Sequence, residues 1–555
     1  MKQTNWYKDA VIYQIYPRSF KDSNGDGFGD IPGIISKLDY LKDLGVNCVW
    51  VSPVYDSPQE DNGYDISNYK DIYYKFGTMK DFDLLLEEMH KRGIRLIMDL
   101  VVNHTSSKHP WFIDAYNNKD SKYRDYYIIR KGKKGGKKPP NNWTGFFGEK
   151  AWERIGDTED YYLHLFAKGQ PDLNWENPKL REEVKDILKF YLDKGVDGFR
   201  CDVITLISKK QDFKSRFPKI ALTGKDAYIN GPRLHEFLHE LNVDVLSNYD
   251  VMTVGETVLS TLKQSIDLVS PSRKELTMIF NFDNTDTDNY FGVKYIKKKF
   301  RLKNLKKVYR KWQHGLYKVG WNSLFIENHD QRRSVGRFGT SSKEEYRELS
   351  AKMLATSYFL MSGTPFIYQG QEIGMTNGDF KSIDEFEDVE IKNMYELSKK
   401  NAFLRPILRK SMFEVSRDNA RTPMQWDNSE FAGFSSVKPW LKVNANKEYI
   451  NVKDSLERED SLFHYYQKLI KFRIGNSIIK DGEYIDLLPR HKRILAYKMK
   501  TDAGEVVVIS NFSTKEIKCK LLTKFNDKNM VLSNYDKHNL VSLKPYETRV
   551  YECKF

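Results

Sequence analysis

The stretch Gly195-Val196-Asp197-Gly198-Phe199-Arg200-Cys201-Asp202-Val203-Ile204 decides the fold. It contains a short apolar strand of the kind that lies inside a parallel sheet, and it ends in Arg200 and Asp202. Charged residues at alternate strand positions point to the same face. Before it, Lys179 to Lys194 carries Leu180, Val184, Ile187, Leu188, Tyr191 and Leu192 on one helical stripe. Gly195 ends that helix as a C-terminal cap. The unit is helix, glycine, strand, carboxylate.

Two copies of the unit lie upstream. Leu38 to Leu44 leads through Gly45 into Cys48-Val49-Trp50-Val51-Ser52-Pro53, and Phe82 to Lys91 leads through Gly93 into Leu96 to His104. Strands that alternate with helices give a parallel sheet, and near-continuous apolar strands give one covered on both faces. Ala10 to Tyr16, Met252 to Glu256, Leu276 to Phe282, Leu324 to Asp330 and Pro365 to Gly370 bring the strands to eight. No G-x-G-x-x-G follows any of them, which argues against a dinucleotide-binding sheet. The expected fold class is therefore α/β, a closed (β/α)8 TIM barrel in two parts, residues 1–104 and 175–479. A subdomain over 105–174 is inserted after the third strand, and a C-terminal antiparallel β-sandwich domain covers 480–555.

With 555 residues, 40% apolar and 14% aromatic, the chain can bury a large core. No apolar run approaches the roughly 18 residues that span a membrane, and Met1 to Lys8 lacks the apolar stretch of a signal peptide. The cysteines are few (Cys48, Cys201, Cys519 and Cys553), and two fall in buried strands. A reduced, cytoplasmic protein is expected. The net charge of +14 is spread along the chain. Its densest run, Arg130 to Lys138, is punctuated by glycine and proline, so it reads as a solvated loop and not as a nucleic-acid surface.

Asp22-Ser23-Asn24-Gly25-Asp26-Gly27-Phe28-Gly29-Asp30 follows the first strand. Oxygens from Asp22, Asn24, Asp26 and Asp30, with the carbonyl of Phe28, suit a structural calcium ion. Asp61-Asn62-Gly63-Tyr64-Asp65 follows the second strand, and Asn103-His104 closes the third. Between His104 and Trp175 the periodicity fails, and aromatic residues crowd in, among them Trp143, Phe146, Phe147 and Trp152. An irregular stretch of that length is a subdomain or a lid, and its aromatic faces suit sugar rings. Glu256 ends the fifth strand, and Glu327-Asn328-His329-Asp330 ends the seventh. Asp202, Glu256 and Asp330 thus converge on one barrel mouth, where like charges cost stability and chemistry is the better account. Paired carboxylates without a metal-ligand cluster are the equipment of glycoside hydrolysis.

Asp99 to His104, Gly198 to Asp202, Val254 to Glu256 and Glu327 to Asp330 together resemble the four signature strands of the α-amylase superfamily of glycoside hydrolases. Within it the chain is most similar to the oligo-1,6-glucosidase group, through Asp61 to Ile66, Gln170 to Trp175 and Ser416 to Pro423. The resemblance implies a retaining, exo-acting α-glucosidase for isomaltose and short isomalto-oligosaccharides. Asp202 would be its nucleophile, kept ionised by Arg200, and Glu256 its acid/base. Asp330 would stabilise the transition state, while Tyr64, His104, Gln170 and His329 hold the glucose. Asp61 and Arg417 would close the pocket behind that glucose, and Val203 matches the residue that accompanies α-1,6 preference. A monomer is implied, acting on a small oligosaccharide or disaccharide, with no nucleic-acid or membrane partner. Two stretches depart from the group's pattern, Phe282 to Asp286 and Gln331-Arg332-Arg333, both on the expected leaving-group side. Arg332 could serve a phosphate, so trehalose-6-phosphate hydrolases are the alternative, beside the sucrose isomerases and the sucrose-active or α-1,4 glucosidases of the same group. A binding-only relative, such as the heavy subunit of amino-acid transporters, would lack the three acids and carry an anchor.

Overall fold

The computed structural model describes residues 4–219, 222–290, 293–403 and 405–555. Eight parallel strands form the centre: β1 (Ile12–Ile15), β2 (Cys48–Val51), β3 (Arg95–Leu100), β4 (Gly198–Cys201), β5 (Met252–Glu256), β6 (Met278–Phe280), β7 (Ser323–Leu324) and β8 (Thr364–Tyr368). Each pairs with the next, and β8 returns to β1 through Phe366 opposite Ile12. A parallel bridge between Ile279 and Asn322 joins β6 to β7, which closes the barrel.

The apolar strands are buried on both sides because each side has a different partner. Ile12, Trp50, Ile97, Val254, Phe280 and Phe366 fill the barrel interior. Their neighbours Tyr13, Val49, Leu96 and Phe199 face outward, into the main core with the helices. The helix Pro178–Lys194 starts under an Asn177 cap and buries all six residues of its expected stripe. Each such aliphatic side chain contributes about 1.5–3 kcal/mol. Gly195 then takes φ 104° and ends the helix. Gly198 is required for a different reason. A Cβ there would lie 2.1 Å from the Met252 carbonyl oxygen of the adjoining strand, so Gly198→Ala should break the β4–β5 pairing.

Some expected boundaries shift. The seventh strand was expected to reach Asp330 but ends at Leu324. Beyond it the chain is drawn away from the ladder: the His329 carbonyl accepts from Arg421 at 3.0 Å, and Glu327 pairs with Arg333 at 3.1 Å. The third strand likewise stops at Leu100, and His104 instead bridges Asp172, so the two ends of the insertion meet. The insertion holds a helix, Pro110–Asn117, and a three-stranded antiparallel sheet built from Ile129–Lys131, Asp160–Leu163 and Trp152–Arg154. Trp143, Trp152 and Tyr161 pack there with Leu206, Phe213 and Tyr228, which follow β4.

Two consecutive helices, Val389–Lys400 and Arg405–Val415, follow the barrel's eighth strand at a distance. In the second, the buried Leu408, Met412 and Val415 have helical spacing, a signal present in the sequence. At the C-terminus, five antiparallel strands form one sheet. Leu495, Tyr497, Val506 and Val508 face the barrel, and Ile494, Val507 and Ile509 face away. The second layer of the expected sandwich is only a ribbon, Ile517–Lys518 with Ser542–Leu543. Among the described residues no helix is long and apolar enough to cross a membrane, and the four cysteines are unpaired.

Candidate active site

At the carboxyl ends of the strands a cavity of about 250 Å³ is lined by Asp202, Glu256 and Asp330, the three expected catalytic acids. A larger cleft of about 430 Å³ opens at the other end of the barrel, against Trp312, Trp321 and Tyr317, but none of these acids lines it. The chemistry therefore places the site in the smaller cavity.

The floor is organised by Arg200. Asp99 and Arg200 are opposite each other on β3 and β4, so both side chains rise on the same face. One terminal nitrogen of Arg200 contacts Asp99 and lies 2.6 Å from Asp202 Oδ1; the other contacts Glu256. Trp50 Nε1 holds the second oxygen of Asp99 at 2.7 Å. Val203, next in the chain, has φ 34° and ψ 39°, a left-handed conformation that is strained for a β-branched residue. That turn aims its N–H at Glu256 Oε2, 3.1 Å away. Burial pushes Asp202 well above the usual carboxylate range. Arg200 pulls the other way, but Glu256 and Asp99 add to the rise. One guanidinium thus serves three carboxylates, Asp99, Asp202 and Glu256.

Asp330 is set oppositely. Burial would raise it, yet His329, Arg421 and Arg417 hold it well below the usual range. Arg421 Nη2 lies 2.7 Å from its Oδ1, and His329 Nε2 lies 3.2 Å from its Oδ2. The ring of His329 stacks on Tyr64 with centroids 5.4 Å apart, and Tyr64 OH is 2.8 Å from its Nε2. Behind these, Arg417 meets Asp61 at 3.1 Å, and Gln170 Nε2 reaches Asp61 at 3.3 Å and His104 at 3.2 Å. The cavity is closed at this end. All the expected sugar-site residues lie at the site: Arg200 in the floor, and Asp61, Tyr64, His104, Gln170, Val203 and Arg417 in the lining beside His329.

At the open end stand Phe146 and Phe147, two of the aromatic residues expected to suit sugar rings, and Phe282 from a departing stretch; Phe166 and Val258 join them and, with Lys294 and Glu390, are residues that sequence reasoning missed. Lys294, on the strand Val293–Lys297, meets Glu390 in the first turn of Val389–Lys400 at 2.6 Å. Asp388, the cap of that helix, takes Arg417 at 2.7 Å. Of the aromatic residues in the insertion, Trp143, Trp152 and Tyr161 form its core instead. In the two departing stretches, Phe282 and Gln331 reach the cavity. Asp283 pairs with Lys311 at 2.6 Å, and Arg332 is buried between Asp288 and Glu414. With both carboxylates on it, Arg332 is not presented to a phosphate, as the phosphorylated-disaccharide alternative expected.

The loop Asp22 to Asp30 is fastened by its own backbone. Asp22 accepts from Asn24, Gly25 and Gly27, Asn24 from Asp26, and Asp26 from Phe28. Asp30 caps the next helix through Gly33 and takes Ser23 on both oxygens. Among the described residues no group of three His, Cys, Asp or Glu is gathered tightly enough to hold a metal.

Residues 14–482 match the family model described as alpha amylase, catalytic domain. An oligo-1,6-glucosidase of Parageobacillus thermoglucosidasius is 53% identical over 561 residues, covering 99% of both chains. Among solved structures, the isomaltulose synthase of Klebsiella sp. LX3 superposes with TM-score 0.95 at 41% identity, over 99% of this chain and 100% of that one. The trehalose-6-phosphate hydrolase of Bacillus licheniformis gives TM-score 0.91 at 44% identity, over 99% of each. The strand-end carboxylates, the closed barrel and these matches agree, and the chain belongs to the alpha-amylase family of glycoside hydrolases.

Proposed function

We propose that this enzyme is a retaining, exo-acting α-glucosidase that hydrolyses α-1,6 bonds at the non-reducing end of isomaltose and short isomalto-oligosaccharides. The observation that carries it is the bridging of Asp202 and Glu256 by the two ends of one guanidinium. Two carboxylates held by one guanidinium stand close together, as where one carboxylate attacks directly, and not apart as where a water must fit between them. Asp202 attacks the anomeric carbon while Glu256, steadied by the Val203 N–H, protonates the departing oxygen. Water, deprotonated by Glu256, then releases glucose from Asp202. Asp330, held ionised by its cationic neighbours, faces the charge that develops on the ring. The closed end at Asp61 and Arg417 supports removal of one terminal glucose at a time. Lys294 and Glu390, a donor and an acceptor at the open end, supply partners for the hydroxyls of the leaving sugar. The buried state of Arg332 favours a free over a phosphorylated disaccharide. Rates on isomaltose, maltose, sucrose, trehalose and trehalose-6-phosphate test the reading: isomaltose should lead, and a lead by trehalose-6-phosphate would overturn it.

Unpaired thiols and the absence of a spanning helix among the described residues support a cytoplasmic setting, and we take the enzyme to act as a monomer. The D-x-N-x-D-G spacing from Asp22 supports a structural calcium ion with no part in the chemistry. Thermal midpoints measured with chelator and with added calcium should differ by several degrees, since a bound ion stabilises the folded state by mass action. Equal midpoints, with no metal in the purified protein, would remove the ion.

A further inference from the structure

Lys209 does not line the cavity, yet its buried ammonium lies 2.7 Å from Asp172 Oδ2 and 2.9 Å from Asn103 Oδ1. An ammonium offers only donors and a carboxylate only acceptors. The amide of Asn103 lies between them, so it has one orientation. Its Oδ1 faces Lys209, and its Nδ2 faces Asp172 Oδ2 at 3.3 Å. Turned over, it would set donor against donor and acceptor against acceptor. The same Nδ2 lies 3.1 Å from His104 Nδ1, so that ring nitrogen must carry the lone pair. The proton then sits on Nε2, which donates to the Tyr64 carbonyl at 3.0 Å. Gln170 Nε2 stands 3.2 Å from the same nitrogen and cannot accept from it, because Gln170 Oε1 is turned to the Ala167 N–H at 2.9 Å.

We propose that Lys209 is a positioning residue for the hydrolysis: through Asn103 it holds His104 as a neutral imidazole whose Nε2–H, resting on the Tyr64 carbonyl in this structure, is the donor that a sugar hydroxyl would share. The inference rests on the glucosidase reading for its use, but not for its geometry. The charged groups around His104 are Asp172 and Lys209 on the Nδ1 side and Asp61 beyond Gln170 on the other, with the Phe166 ring packed at 5.1 Å. Burial brings the ring down to about 4; Asp172 pulls it up, and Lys209 adds to the fall. Without the ammonium, the buried and unpaired Asp172 would favour its protonated form, whose hydroxyl donates to an Asn103 oxygen turned toward it, and that oxygen then accepts from a protonated Nδ1.

Enzyme labelled with 15N-histidine reports both ring nitrogens, and His104→Gln identifies the signals. Near neutral pH the wild type should have Nε2 protonated and Nδ1 bare. Lys209→Met should gain protonation at Nδ1 and lose about tenfold to a hundredfold in kcat/KM, and Lys209→Arg should restore part of both. A folded Lys209→Met with wild-type ring signals overturns the proposal and leaves Lys209 only the stabilisation of Asp172. If Lys209→Met does not fold, Asn103→Asp decides, since it keeps the ammonium and presents an acceptor to Nδ1. That nitrogen must then become protonated, and unchanged signals overturn the proposal. The expected ring signals in an enzyme inert toward every α-glucoside would support the hydrogen-bond chain and overturn the functional reading.

Discussion

At the floor of the cavity, Arg200 and Glu256 stand on barrel strands, with Asp202 one residue beyond, and a backbone ladder fixes them. At the open end, Phe146, Phe282, Lys294 and Glu390 come from four segments joined by side chains and by the antiparallel ribbon of Asn289–Tyr290 with Val293–Lys297. The floor crowds charge where the scaffold is stiffest, which raises Asp202 and so costs stability. The rim places contacts where the scaffold can vary. The contrast teaches that chemistry and leaving-group choice are separately adjustable here: damage to the floor should remove turnover from every substrate, and damage to the rim should re-rank substrates.

The sharpest way to break that contrast is Asp202→Asn. It removes the attacking oxygen and should lower kcat by at least about a thousandfold on all substrates alike. Because burial and like charges penalise the ionised aspartate, the variant should also melt higher, by about 1–2 kcal/mol of stability. Kinetics with calorimetry checks both. Retained turnover in a folded variant would displace Asp202 from its role.

The second test asks whether the insertion that carries part of the rim yields to acid before the barrel. His109 is buried in the insertion, and its Nδ1 accepts the Trp111 N–H at 3.2 Å as the cap of Pro110–Asn117. Burial lowers it to about 4, below the ordinary 6.5. The folded state therefore prefers the neutral ring, so this contribution is present above about pH 6.5 and is lost as pH falls through about 4, up to about 3 kcal/mol in all. His109→Asn keeps a cap acceptor that does not titrate and should lose that much less stability over the same window. Asp65, raised to about 6 by burial, acts in the opposite sense: its contribution is present below about pH 4 and is lost as pH rises through about 6. The measure is therefore the difference between variant and wild type in denaturant unfolding at each pH. Parallel profiles would show that the cap does not titrate in this window.

The floor was legible in the sequence, and the rim only in its aromatic residues Phe146, Phe147 and Phe282. A carboxylate just after an apolar strand has one place to go in a parallel barrel, so Asp202 and Glu256 could be read from period and position. Arg200 followed from its two-residue spacing. Lys294 and Glu390 meet only because the helix Val389–Lys400 folds back over the ribbon, and no local pattern encodes that contact. The misjudged end of the seventh strand has the same origin, since Arg421, distant in sequence, takes the His329 carbonyl. Arg332 was misread because its partners Asp288 and Glu414 come from separate segments.

Lys294→Met sharpens the comparison on the rim side. The hydroxyls of a leaving sugar would lose a charged donor, so kcat/KM on isomaltose should fall about tenfold to a hundredfold. An aryl glucoside, whose leaving group has no such hydroxyls, should be cleaved as before. Equal losses on both substrates would mean that Lys294 acts on the floor.

The smallest expected effect belongs to Val203, where floor and rim meet. Its backbone N–H serves Glu256, while its side chain lines the cavity and packs in the core shared with the insertion. A branched apolar side chain at this point narrows the first leaving-group position. An α-1,6 link has one more rotatable bond, so its leaving sugar can swing clear, while an α-1,4 leaving sugar is held nearer the wall. Val203→Thr keeps the branching and exchanges a methyl for a hydroxyl, and it leaves the left-handed backbone and its bond to Glu256 in place. One such contact discriminates by about 1–3 kcal/mol at most. The ratio of kcat/KM on isomaltose to that on maltose should therefore fall about tenfold, with kcat on the better substrate little changed. If kcat drops on both substrates and the ratio holds, the residue matters through Glu256 and not through the wall. An unchanged ratio with unchanged kcat would move the linkage preference to Phe282 and Lys294, deeper in the rim.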